Sequence, residues 1–260
     1  MSTNTYAPPR GFLSVLYWLA PSAIFSTFYM LSIGTRFVNS PHPLLTSIVV
    51  VIVTAVLAVI IRWAIPYSNT FHRTLNTPTK LRIGLYVLVC AVAIWVVGQI
   101  ITNHFAAQLY QFNPHIFDNW TQENASKQTL PWYVAAFISV VATPICEEII
   151  FRFGIFRLFE CVTPPVTAAV ISTILFVYLH SHPLAFVYAG GLGLINCFIY
   201  YHTRRIIYPI IIHGVFNTMS MVLPTVTVSA HNAVATLVVL MVSVLFLSVF
   251  LELIHTDTKK

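Results

Sequence analysis

The chain is a succession of apolar runs, several of them 18 residues or longer, of which residues 44–65 and 233–254 are the plainest. A run of that length is enough for a helix to cross the hydrocarbon core of a bilayer. Only 8% of the residues are charged, against roughly 25% in an average soluble domain, and 58% are hydrophobic. That balance leaves no room for a separate soluble domain. The net charge of +6 comes from basic residues scattered singly between the runs, which excludes a nucleic-acid surface and reads as a topology signal.

The expected fold is therefore all-α and polytopic, with about eight membrane helices. Their expected positions are 11–33, 44–65, 83–110, 131–159, 164–180, 184–201, 206–223 and 233–254, with a polar, basic stretch at 66–82 and a longer loop at 111–130. The first run is read as a retained span rather than a cleaved signal peptide. The organisation is one integrated membrane domain in three sections, 1–130, 131–223 and 224–260. Arg10, Arg62, Arg73, Lys80, Arg82, Arg157, Arg204, Arg205, Lys259 and Lys260 fall on the side of the termini, and Arg36 and Lys127 on the other. The positive-inside rule then places both termini in the cytoplasm.

One expected span breaks the apolar pattern. Glu147, Glu148 and Arg152 lie inside 131–159, and each charge near a bilayer centre costs roughly 2.5 to 3.5 kcal/mol on the lower scale, which marks the three as a candidate site. Glu148 and Arg152 are four apart with the acid first, the favoured helical order for an ion pair. Glu147 projects about 100° away around the helix, where it is free to serve as a general base. Pro144 cannot donate to the carbonyl of Val140, which predicts a kink or a widened turn beside the acid.

Two further pairs, Phe176 with His180 and His213 with Asn217, are each spaced four apart on later helices. Polar side chains in lipid turn inward to meet one another, so the acids, histidines and amide are expected to form one cluster. Such a cluster holds the parts for amide hydrolysis: Glu147, helped by His180, to take a proton from water, and His213 and Asn217 to donate to an oxyanion. A covalent route is not supported, because Cys146 points off the acids' faces and no serine is suitably spaced from either histidine. The competing structural reading is a Glu–Arg clamp with packing histidines.

The set Glu147-Glu148-x-x-x-Arg152, Phe176-x-x-x-His180 and His213-x-x-x-Asn217 resembles the CPBP family of intramembrane proteases, over about residues 132–221. That family includes the type II CAAX prenyl endopeptidases and bacterial abortive-infection or bacteriocin-processing homologues. The resemblance implies eight helices around an intramembrane catalytic cavity. It makes Glu147 the base, Glu148 and Arg152 its supporting pair, His180 the helper, and His213 with Asn217 the oxyanion site. It implies no cofactor. A zinc-dependent version ligated by Glu147, His180 and His213 is the alternative, without a His-Glu-x-x-His sequence behind it. The expected partners are the lipid bilayer and a membrane-associated or lipidated peptide or protein substrate, with no nucleic acid. The expected location is a bacterial plasma membrane. Two rival functions use the same cluster: a non-catalytic immunity or binding protein, and a proton-relaying transporter.

The remaining polar or small residues have plainer readings. Cys90, Cys146, Cys161 and Cys197 are buried thiols, and His104, His115 and His202 sit near span ends. His182 is a loop or interfacial residue, Trp120 and Trp132 are interfacial anchors, and the sequons at Asn119 and Asn124 are chance matches. Ala189, Gly190, Gly191 and Gly193 form a smooth strip for close helix packing, with a substrate groove as the alternative.

Overall fold

The apolar runs become helices wherever the computed structural model describes them, namely over residues 41–64, 76–117, 130–161, 163–180, 184–223 and 233–259. In chain order these are α1 (Pro43–Ala64), α2 (Thr77–Phe112), α3 (Trp132–Glu160), α4 (Pro165–Tyr178), α5 (Ala185–Thr203), α6 (Ile207–Val222) and α7 (Ala233–Lys259). A 3₁₀ turn, Pro114–Phe117, follows α2, and there is no strand among the described residues. α1, α2, α3 and α7 are long and apolar enough to cross a membrane, so the chain is a polytopic helical membrane protein.

Among the described residues four helices, rather than the full eight expected, are long and apolar enough to span. α4 and α6 have 14 and 16 residues, and at 1.5 Å per residue each falls short of a hydrocarbon core about 30 Å thick. The expected span at 11–33 lies outside the described residues, as do most of the 111–130 loop and His182. α2 also starts earlier than expected, inside the stretch read as a polar connection. Asn76 caps it there, its Oδ1 accepting the Thr79 N–H at 2.9 Å, and Pro78 occupies the first turn where its missing N–H costs nothing.

The outer faces fit a lipid solvent. Leu45, Ile52, Val53 and Val56 of α1 and Val234, Leu237, Met241 and Leu245 of α7 are exposed, a surface that water would penalise and hydrocarbon does not. Inside, α2 packs against α5, α6 and α7 through Ile83, Val87, Ala91 and Ile94, which meet Leu192, Ile199, Ile212 and Phe216. A second cluster joins Ile150, Phe151 and Ile155 of α3 to Leu57 and Ile61 of α1 and to Phe176 and Val177 of α4.

α3 is the irregular element. Its pitch alternates between α and the wider π form, with π segments at Phe137–Ala142 and Ile149–Phe156. The first is the widened turn that Pro144 predicts. There the Thr143 N–H bonds to Ile138 O, five residues back, and the next donor in that register would be Pro144, which has none. Ser139 O instead accepts from Asn217 Nδ2 of α6 at 2.8 Å. In the second segment Phe151 O accepts from Ser172 Oγ of α4 at 2.7 Å. The widened turns thus become docking points for the two short helices.

Two arginines read as loop charges have other places. Arg157 is buried, its guanidinium carbon 4.8 Å from the centre of the Phe153 ring, a contact that keeps the cation inside the fold. Arg204 takes the left-handed conformation that ends α5, at φ 53°. Its two terminal nitrogens reach the Glu160 oxygens at 2.6 and 2.5 Å, and this fork offsets the backbone strain. Burial opposes the charge of Arg204, but the hydrogen bonds to Glu160 and its charge hold the guanidinium pKa above its ordinary value.

The small-residue strip is a packing surface. A Cβ on Gly193 would meet Thr173 Cγ2 at 2.8 Å, and one on Gly191 would meet Ile94 at 3.3 Å. A Cβ on Gly84 meets nothing within 4 Å. Gly193→Ala is therefore expected to destabilise the protein by about 1–3 kcal/mol through overpacking, whereas Gly84→Ala gains up to about 1 kcal/mol of helix propensity. Thermal unfolding of both variants in detergent micelles checks the contrast.

Candidate active site

The buried face of α3 carries the site. Glu148 and Arg152 are both fully buried, with Arg152 Nε 3.1 Å from Glu148 Oε2 across one helical turn. The contact is a charge pair rather than an aligned hydrogen bond. The guanidinium also faces two aromatic rings, Phe176 at 4.5 Å and Phe151 at 5.9 Å, which stabilise a desolvated cation through their negative faces.

The other Glu148 oxygen, Oε1, collects two donors from two other helices. His213 Nδ1 of α6 lies at 2.8 Å and Asn196 Nδ2 of α5 at 3.0 Å. An ionised carboxylate only accepts, so the His213 proton is on Nδ1. The ring then turns Nε2 toward Glu147 Oε2, 3.6 Å away. That gap exceeds a hydrogen bond, and Glu147 Oε2, though buried, has no hydrogen-bond partner. Of the two neighbouring acids, Glu148 gathers Arg152, His213 and Asn196 around it, whereas Glu147 Oε2 meets His213 at 3.6 Å without a hydrogen bond.

His180 departs from its expected placement. α4 ends at Tyr178, so the ring sits in the following turn rather than on a helical face, with Nδ1 donating to Phe176 O at 3.0 Å. Nε2 is left as the acceptor. The His180 ring meets Phe176 edge-on at 4.8 Å, and Phe176 meets His213 at 5.8 Å. His180 therefore approaches the acids through a shared phenyl ring rather than by a hydrogen bond to Glu147.

Asn217 is tied to α3 by its bond to Ser139 O. One turn earlier, a Cβ on Gly214 would lie 3.0 Å from Val140 O, the carbonyl whose α-helical donor would have been Pro144. The proline thus opens the backbone of α3 where α6 comes closest, three residues before Glu147. All the expected residues converge on the α3, α4 and α6 contacts, although His180 does so indirectly.

Residues 129–219 match the family model described as type II CAAX prenyl endopeptidase Rce1-like. Over these residues the chain is similar to the type II CAAX prenyl endopeptidases. No curated protein and no solved structure matches it. The matched segment, about a third of the chain, contains Glu147, Glu148, Arg152, His180, His213 and Asn217.

Among the described residues, no three His, Cys, Asp or Glu side chains come together to hold a metal ion. His180 and His213 each commit Nδ1 elsewhere, to Phe176 O and Glu148. The cysteines are free thiols; Cys90, Cys146 and Cys197 are buried and Cys161 is partly so. Asn196 is the site residue that spacing arguments miss, since it follows the small-residue strip without a partner four residues away. Its signal is that of any amide inside an apolar run, which lipid penalises unless it is bonded.

The close approach at Gly214 gives a test. Gly214→Ala pushes a methyl group against a backbone carbonyl, which cannot move aside as a side chain can. The variant should lose stability by about 1–3 kcal/mol and weaken the Asn217 bond to Ser139. Thermal unfolding reads the first effect, and the Asn217 side-chain amide resonance in a micelle NMR spectrum reads the second.

Proposed function

We propose that this protein is an intramembrane endopeptidase that cleaves a membrane-associated or lipidated peptide or protein with water activated by Glu147, without a covalent intermediate and without metal. The observation that carries the reading is Glu147 Oε2, which has no hydrogen-bond partner and faces His213 Nε2 at 3.6 Å, too far for a direct hydrogen bond, so that the acid keeps an acceptor for water. The match of residues 129–219 to the type II CAAX prenyl endopeptidase model supports the reaction class, and the donor set, which does not converge on one point, supports the metal-free version.

In this mechanism Glu147 takes a proton from water as the water oxygen attacks the peptide carbonyl carbon. His180 Nε2 accepts the other water proton as a hydrogen bond and aligns the oxygen. The oxyanion then draws the proton-bearing Nε2 of His213, whose positive charge Glu148 supports through Nδ1, and the Asn217 amide N–H that Ser139 does not use. Glu147 delivers its proton to the leaving nitrogen, the carbon–nitrogen bond breaks, and the carboxylate is regenerated. Arg152 keeps Glu148 ionised throughout.

Glu147→Gln retains the shape and removes the base, so cleavage should fall by on the order of 10²–10⁴-fold. Mass spectrometry of membrane peptides from cells carrying the intact protein or the variant provides the test; identical peptide sets would sink the proposal and favour the non-catalytic immunity or binding protein. Zinc chelation of the purified protein should leave cleavage of a substrate so found unchanged. Loss on chelation with recovery on added zinc would establish the metal-dependent alternative.

A further inference from the structure

We propose that Asn196 is a positioning residue that fixes the orientation of Glu148 and, through it, the tautomer of His213; the inference deepens the proposed function and rests on it for its catalytic meaning. Asn196 is fully buried on α5, in a stretch where an amide is unfavourable unless it is bonded. Its Nδ2 lies 3.0 Å from Glu148 Oε1 and 3.5 Å from Pro209 O at the start of α6. The amide therefore joins α5 to both helices that supply the site. The assignment of its nitrogen is fixed by charge, because turning the amide over would place Oδ1 against a carboxylate.

The two acceptor directions of Glu148 Oε1 are used by different donors, His213 Nδ1 at 2.8 Å and Asn196 Nδ2. A glutamate's last torsion is broad and easily turned. With Asn196 removed, Glu148 is free to rotate and face Arg152 with both oxygens, since Arg152 Nε already lies 3.1 Å from Oε2. His213 Nδ1 would then lose its aligned acceptor, and the proton could settle on Nε2. The neutral ring would present an N–H, not a lone pair, to Glu147. Asn196 thus decides whether His213 Nε2 meets Glu147 with a lone pair or with an N–H, although it makes no hydrogen bond to Glu147.

The test is spectroscopic and needs no substrate. The protein is labelled with ¹⁵N in histidine and asparagine side chains and purified in detergent micelles, and the His213 signals are identified by their loss in His213→Asn. At a pH where the ring is neutral, the intact protein should hold its proton on Nδ1; a proton on Nε2 overturns the proposal. In Asn196→Leu, which fills the space without a donor, the Nδ1-to-Nε2 proton ratio should fall by at least about tenfold, the ratio that 1.4 kcal/mol of lost preference produces. An unchanged ratio overturns the proposal, because a merely structural amide would leave the tautomer alone. Should the leucine variant fail to fold, the intact protein still decides: the Asn196 side-chain N–H signal should shift as His213 titrates, and a signal that ignores the titration overturns the shared-oxygen account. Failure of the protease reading would appear separately, as unchanged peptide cleavage in Glu147→Gln.

Discussion

The structure depends on one buried carboxylate. Glu148 is held without exposure by Arg152 from its own helix, His213 from α6 and Asn196 from α5. A charge in that environment is tolerable only when its partners are complete, and removing one partner of a buried pair typically costs about 3–5 kcal/mol. Three helices are thereby obliged to meet at one point. The same arrangement leaves Glu147, the next residue, without a hydrogen bond to Oε2, so the stability of one acid is the condition for the availability of the other.

The second constraint is a missing proton donor. Pro144 has no N–H, and the π turn around it leaves the carbonyls of Ser139 and Val140 for α6, which brings Asn217 to the first and a side-chain-free Gly214 to the second. The backbone defect and the face that carries the candidate site are therefore one device. Widened turns of this kind often occur at functional sites, and here the cause is visible in a single residue. The second widened turn, satisfied by Ser172, does the same for α4 and the ring of Phe176.

Much of this was legible in the sequence, for reasons that differ by residue. Glu148 with Arg152 and His213 with Asn217 could be read from four-residue spacing, because a regular helix turns such pairs to one side, and Pro144 announced its widened turn through its chemistry alone. The same logic misplaced His180, since periodicity cannot see that α4 ends at Tyr178 and hands the histidine to a turn. It overlooked Asn196, whose partner is 48 positions away on another helix. Apolar runs at 164–180 and 206–223 say how greasy a segment is and not how long its helix will be, and the helices there have 14 and 16 residues. Arg157, a basic residue near a span end, packs on Phe153, a contact that spacing does not show.

The central claim is a division of labour between adjacent acids, with Glu148 holding the helices and Glu147 held ready. Comparing the thermal unfolding of Glu148→Gln and Glu147→Gln in the same detergent tests it most directly. The account predicts a clear fall in Tm for Glu148→Gln, which strands Arg152 and unseats His213, and a Tm close to that of the intact protein for Glu147→Gln. Equal losses in the two variants, or the larger loss at Glu147, would contradict it.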